Sequence, residues 1–152
     1  MKDRSSNSSS IIIREFSIED YDSLLKLWND SNLPYKPVGR DRRDRIEREL
    51  EAANAVFLVA LVGDKMAGSV FGTHDGRKGW INRLAVAPEY QQQGVARMLV
   101  ERVEEILLTL GIEITACLIE NWNGDSMKVF EKLGYTRHSD IVYFSKRKNP
   151  DV

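Results

Sequence analysis

The sequence predicts an α/β (α+β) domain built on a mixed, mostly antiparallel central sheet, and three observations carry that prediction. The stretch from Ile81 to Leu110 reads as a buried strand, a tight polar turn and an amphipathic helix. Before it, turn signals at Gly63-Asp64 and Asp75-Gly76 fold apolar runs into consecutive hairpins. The order of elements is strand, two helices, three strands, helix, strand, helix, strand, which departs from the regular strand-helix alternation of a dinucleotide-binding domain.

Taken in order, Ile11, Ile12 and Ile13 open a β-branched run that predicts the first strand. Ser17 with Asp20 three residues on marks a helix start, and Tyr21, Leu24, Leu25 and Trp28 then repeat at helical spacing. Prolines and asparagines between Asn29 and Gly39 predict a loop carrying exposed Tyr35 and Lys36. From Arg40 to Glu49 the charges alternate over a thin stripe of Ile46, Leu50 and Ala53. Acids nearly cancel the arginines, so this reads as a solvated helix face rather than an RNA-binding one. Ala55 to Val62, Lys65 to Thr73 and Trp80 to Val86 are the three hairpin strands. The helix that follows shows an apolar face of Leu99, Val103, Ile106 and Leu110, and Gly111 closes it. Ile112 to Ile119 predicts another strand, and Ser126, Val129, Phe130 and Leu133 give one face of a short helix. Tyr135 to Lys146 predicts one or two closing strands.

The chemistry is suggested by the turn from Gln91 to Ala96. The first amides of a helix lack internal partners and sit at the positive end of its dipole, so a strand leading through a turn into a helix forms a phosphate site. Gly94 and Ala96 keep bulk away from those amides, and Gln91 adds a neutral donor at the mouth. The ligand read from this turn is a phosphate ester with an apolar or amide-bearing arm.

The pattern Gln91-x-x-Gly94-x-Ala96, preceded by Leu84-Ala85-Val86-x-Pro88, resembles the acetyl-CoA-binding motif of the GNAT N-acetyltransferase superfamily. A second family signature is matched by Asn123, Phe130, Gly134 and Tyr135, and the resemblance runs from Ile11 to Lys146. The layout is similar to the ribosomal-protein alanine N-acetyltransferase branch. The resemblance implies the GNAT fold, with helices on both sheet faces and a splayed parallel strand pair ending near Val86 and starting near Ile112. It also implies a pantetheine arm held in the splay by Leu84, Ala85 and Val86, pyrophosphate held by Gln91, Gln92, Gln93, Gly94, Val95 and Ala96, and Asn123 and Phe130 against the arm and thioester. The cosubstrate implied is acetyl-CoA.

Acetyl transfer needs an uncharged amine, a polarised thioester carbonyl and a proton for the departing thiolate. The Val86 amide is the candidate carbonyl donor, its other reading being an ordinary ladder hydrogen bond. Where many members carry a Tyr acid this chain has Phe130, which cannot donate a proton. The positions matching the family's catalytic Glu are Trp80 and Leu118. Glu120, two residues beyond Leu118, is the remaining candidate base, the plainer reading being a solvated Glu at a strand end. Asn123 also reads as a helix cap. Lys128 and Lys132 are candidates to reach phosphate.

Composition bounds the rest. A 152-residue chain of net charge −1 supports one domain over residues 11–148 and shows no bias toward nucleic acid or membrane. A single cysteine, Cys117, excludes an intramolecular disulfide and suits a reducing, cytoplasmic setting. Residues 1–10 read as a disordered polar tail. His74 and His138 lack partners at ligand spacing, so no metal site is expected. The function expected is acetyl transfer to a primary amine, on a small molecule or a peptide or protein N-terminus, by direct attack in a ternary complex. The alternative is a catalytically weak CoA-binding sensor or structural module. A nucleotide hydrolase is disfavoured because the turn has no Lys followed by Ser or Thr. Exposed strand edges allow a homodimer. The acceptor, the acyl length and the acid and base are not written in the sequence.

Overall fold

The computed structural model describes residues 10–152, so the tail expected over residues 1–10 lies, apart from Ser10, outside the described residues. One sheet runs in the order β1 (Ile11–Glu15), β2 (Ala55–Val62), β3 (Lys65–His74), β4 (Lys78–Val86), β5 (Ile114–Ala116). Neighbours are antiparallel except β4 and β5, which are parallel. The helices are α1 (Tyr21–Asp30), α2 (Arg43–Leu50), α3 (Val95–Thr109) and α4 (Gly124–Lys132). Among the described residues no helix is long and apolar enough to cross a membrane.

β2 shows why its whole run is apolar: Val56, Leu58 and Ala60 pack with α3, while Phe57 and Val59 pack with α1. The two cores sit on opposite sheet faces. One joins Val70, Ile81, Leu99, Val103, Leu107 and Phe130; the other joins Leu24, Trp28, Ile46 and Phe71. The start of α1 follows the expected box. The Ser17 N–H donates to Asp20 Oδ2 at 2.9 Å, and Arg14 grips the same carboxylate at 2.7 and 2.8 Å. That grip holds the Asp20 carboxyl below the usual carboxylate range.

The apolar face of α3 differs from the expected one. Its buried residues are Val95, Leu99, Val100, Val103 and Leu107, whereas Ile106 is half-buried and Leu110 is exposed. The cause lies at the helix end. Gly111 takes φ +82°, its N–H donates to the Leu108 carbonyl at 2.9 Å, and the Ile112 N–H donates to the Leu107 carbonyl at 3.0 Å. This Schellman turn lifts Leu110 outward and delivers Ile112 to the core in its place.

Two strand expectations are corrected. β5 covers three residues rather than Ile112 to Ile119, and Tyr135 to Lys146 forms no strand. Ile141, Val142, Tyr143 and Phe144 are β-prone but 64–88% exposed, and they stand beside no ladder. A β-branched sequence becomes a strand only where a neighbour accepts its backbone hydrogen bonds.

α3 lies close to the sheet because β3 presents glycines beneath it. A Cβ on Gly68 would come 2.9 Å from Val95 Cγ1, and one on Gly72 would come 2.7 Å from Val103 Cγ1. Replacing Gly68 by Ala is therefore expected to overpack this contact and lower stability by about 1–3 kcal/mol in urea unfolding. An unchanged midpoint would mean that α3 rests on the sheet less tightly than these distances imply.

Candidate functional site

A single 3-10 turn, Pro88–Tyr90, carries the chain from β4 to the mouth of α3. Gln92 (φ +62°) and Gly94 (φ +83°) are both left-handed, and Gly94 is the residue before the first helical turn. The first backbone bond of the helix is Met98 N–H to the Gly94 carbonyl at 3.0 Å. The N–H groups of Gly94, Val95, Ala96 and Arg97 find no partner among the described residues. No acidic side chain occupies the first turn. Arg97 donates to the Lys132 carbonyl at 3.3 Å, so the end of α4 stands beside the first turn of α3. These features fit a phosphate-bearing ligand.

The glutamines act differently from the expectation. Gln91 Nε2 donates to the Val86 carbonyl at 3.3 Å, and Gln93 Nε2 donates to the Glu89 carbonyl at 3.0 Å. Both side chains brace the turn. A glycine at Gly94 serves backbone conformation rather than clearance, because a Cβ there would meet nothing within 4 Å.

Beyond the turn lies the splay. β4 and β5 pair only from Lys78–Ile114 to Trp80–Ala116, so the outer edge of β4 from Ile81 to Val86 has no strand partner. The register decides which peptide groups face that gap. Ala87 N–H donates to the Ala67 carbonyl at 2.8 Å, and Ala85 pairs with Ser69; hydrogen-bonded pairs alternate along an antiparallel ladder. Ala85 therefore spends its N–H and C=O on β3. Val86, opposite Gly68 in the intervening pair, turns its own outward into the splay. The Val86 N–H thus makes no ladder bond to β3, while Ala85 offers the gap no backbone group.

Between these pairs β4 bulges: Ser69 opposes Ala85 and Phe71 opposes Asn82, leaving Arg83 and Leu84 against Val70 alone. Arg83 adopts φ +55° and is held from several sides. Its Nη2 lies 2.7 Å from both oxygens of buried Asp41, its Nη1 donates to the Pro34 carbonyl at 2.5 Å, and the guanidinium lies 4.9 Å from the Trp28 ring centroid. Trp28 Nε1 donates to Ser69 Oγ, which in turn donates to the Arg83 carbonyl at 2.9 Å. Burial pulls the guanidinium pKa down and Asp41 opposes that shift. Sequence reasoning missed this assembly. The available signal was a charged residue inside an apolar strand, which demands a buried anion.

On the β5 side, Asn123 caps α4 by accepting from the Ser126 N–H at 3.2 Å, which leaves its Nδ2 without a partner among the described residues. Phe130 is buried and meets Tyr135 edge-on at 5.0 Å. Tyr135 donates to Glu104 at 3.0 Å and contacts Thr115 at 2.9 Å, tying α3 to β5; burial first, then Glu104, pushes its pKa up. Burial also pushes the Cys117 thiol up to about 11, away from the nucleophilic thiolate form. Glu120 lies past the end of β5 rather than on a strand, yet extended alternation persists: Cys117 and Ile119 pack inward, Leu118 and Glu120 face out. Lys128 is exposed.

Residues 21–135 match the model of the acetyltransferase (GNAT) family. An acetyltransferase of Photorhabdus laumondii is 35% identical over 136 residues, covering 89% of this chain and 94% of the relative. One of Sodalis glossinidius is 31% identical over 135 residues with the same coverages. Among solved structures, AAC(6')-Iy in complex with the bisubstrate analog CoA-S-monomethyl-acetylneamine superposes with a TM-score of 0.77 at 21% identity, covering 91% of this chain and 99% of that one. The PaiA N-acetyltransferase of Thermoplasma acidophilum, in complex with coenzyme A, gives 0.72 at 21% identity, covering 81% and 87%.

Gly94→Glu sets a carboxylate at the helix mouth and strains one residue at φ +83°. The expected outcome is a folded protein, destabilised by about 1 kcal/mol, with loss of CoA binding in calorimetry. Unchanged affinity would place the phosphate site elsewhere.

Proposed function

Because the chain belongs to the GNAT acetyltransferase family and is with it an acetyl-CoA-dependent acetyltransferase, we propose that it acetylates a primary amine by direct attack in a ternary complex. The carrying observation is the Val86 peptide group, turned into the splay one 3-10 turn away from the free amides of α3. In this reading those amides hold the pyrophosphate, with Arg97 and Lys132 nearby. Leu84 and Val86 line the arm, Asn123 Nδ2 donates to it, and Phe130 packs below the thioester end. Acetyl-CoA supplies the activated acyl group.

The Val86 N–H donates to the thioester oxygen, where negative charge builds as the amine nitrogen attacks the carbonyl carbon. The N–C bond forms as the C–S bond breaks, the amine gives up a proton to a base, and the thiolate leaves to take a proton from solvent. Holding amine and thioester in line supplies up to roughly 7 to 11 kcal/mol of the barrier, which lets the reaction run without the Tyr that Phe130 replaces. Glu120 is the base in this reading, since it faces out from the β5 side of the splay. A small-molecule amine is the favoured acceptor, as in the solved neighbour bound to a CoA-acetylneamine analog. A homodimer through the unpaired edge beyond β5 and the exposed Ile141–Phe144 strip belongs to the same reading; sedimentation at twice the monomer mass would support it, and a single monomer boundary would remove it.

The test joins acetyl-CoA calorimetry to thiol release against a panel of amines and peptide N-termini. Binding with release is expected; binding without release over the whole panel would favour the sensor that Phe130 suggests. For the base, Glu120→Gln is expected to lower turnover most at low pH, where little free amine is present without its help. A pH profile identical to that of the parent protein would take Glu120 out of the mechanism.

A further inference from the structure

The sheet face opposite α3 carries a cavity of about 290 Å³. Its floor is the stacked pair Phe57 and Phe71, with ring centroids 3.9 Å apart and planes 6° from parallel. Its polar wall is Arg40, Asp41, Glu49, Thr73, Asn82 and Arg83. Asp41 and Arg83 are engaged with each other at 2.7 Å, so neither is free for a ligand. Two groups of opposite charge remain. Arg40 Nε is buried and donates to nothing among the described residues, its nearest carboxylate oxygen, Asp41 Oδ2, standing 3.6 Å away. The Glu49 carboxyl is held above its ordinary range by burial first and by Asp41 second, with Arg83 and Arg45 acting against them.

The cavity adjoins the splay through β4. Asn82 and Arg83 precede Val86 by four and three residues, which at about 3.3 Å per residue puts the cavity at most roughly 10–13 Å from the outward Val86 N–H, the bulge shortening the path. α3 occupies the other face, so a cofactor held at its N-terminus and a molecule held in this cavity lie on opposite faces of β4.

We propose that this cavity seats the far end of the acceptor and selects short linear amines that end in a carboxylate beside an N–H, the chemistry of a peptide C-terminus or an amino-acid head. Arg40 takes the carboxylate and Glu49 takes the N–H. The inference rests on the reading of the splay as the site of transfer. Charge and size both support it. Two guanidinium groups and two carboxylates cancel, so the cavity offers no net attraction to a polycation. Its volume stands at the lower limit of small-molecule sites, about 300–1,000 Å³, enough for an end group. Three extended residues span about 10 Å, so a tripeptide seated by its carboxylate delivers its terminal amine to Val86.

The test compares matched acceptors that differ in the carboxylate: triglycine against triglycinamide, and lysine against cadaverine, each read as kcat/KM for thiol release. The expected preference for the acid of each pair is about tenfold to a hundredfold, the effect of one charge-assisted hydrogen bond. Arg40→Gln is expected to erase that preference through KM rather than kcat, and Glu49→Gln to raise KM for both acids while the enzyme keeps its acetyl-CoA affinity. Equal or better turnover of the amide and the diamine, or no turnover of either pair beside active amines of another kind, would overturn the assignment. Failure of acetyl-CoA itself to bind in calorimetry would instead overturn the transferase reading beneath it.

Discussion

A strand can pair along two edges, and β4 uses only one of them beyond Trp80. The other edge has no protein strand to satisfy it: the outward Val86 C=O accepts only from the Gln91 side chain, and the Val86 N–H is left open. A buried peptide group left without a partner costs about 1–3 kcal/mol, so this edge must face water or an amide-rich ligand. The pantetheine arm of the cosubstrate is such a ligand. What distinguishes this protein from any open sheet is that the same gap leads directly into a helix mouth with free amides.

The rest of the structure keeps that gap open and in place. The Arg83 bulge re-aims β4 beyond its pairing with β5, and the contacts of Arg83 Nη2 with both Asp41 oxygens, the guanidinium close to the Trp28 ring and the Ser69 hydroxyl on the Arg83 carbonyl hold the bulge in place. A buried ion pair of this kind adds little net stability, because desolvation offsets attraction; its effect here is to select one backbone path. On the opposite face, Gly68 and Gly72 let α3 settle onto β3, and the Gly111 turn fixes where α3 ends. Tyr135, bonded to Glu104 and in contact with Thr115, links α3 to β5. The helix mouth and the two splayed strands are thus tied to one another by direct contacts.

Much of this was legible in the residues. β2 occupies Ala55–Val62, the span its continuous apolar run predicts, because a strand buried on both faces leaves no ambiguity of period. The Gln91 to Ala96 turn was legible because a strand leading into a helix leaves free amides at the helix start; the left-handed Gln92 beside Gly94 was not legible, since glutamine carries no such signal. Less was legible where a residue's partner is distant in sequence. Arg83 and Asp41 are 42 positions apart, and the acid lies in a charge run that by itself reads as solvated surface. The closing strands were over-read because β propensity in Ile141–Phe144 says nothing of whether a ladder is there to receive it. Leu110 was misplaced by one Schellman turn, which periodicity alone does not report. The open direction of the Val86 amide follows from register, and register is set by the bulge.

The central claim is that one ligand spans the α3 mouth and the open edge of β4. Amide-resolved NMR during titration with coenzyme A tests it most directly. The account predicts large, saturable shifts at Gly94, Val95, Ala96 and Arg97 together with Val86, and none at Ala85, whose amide is committed to β3, beyond the small shifts of a neighbour. Shifts confined to the helix mouth, or centred on another face of the sheet, would contradict it.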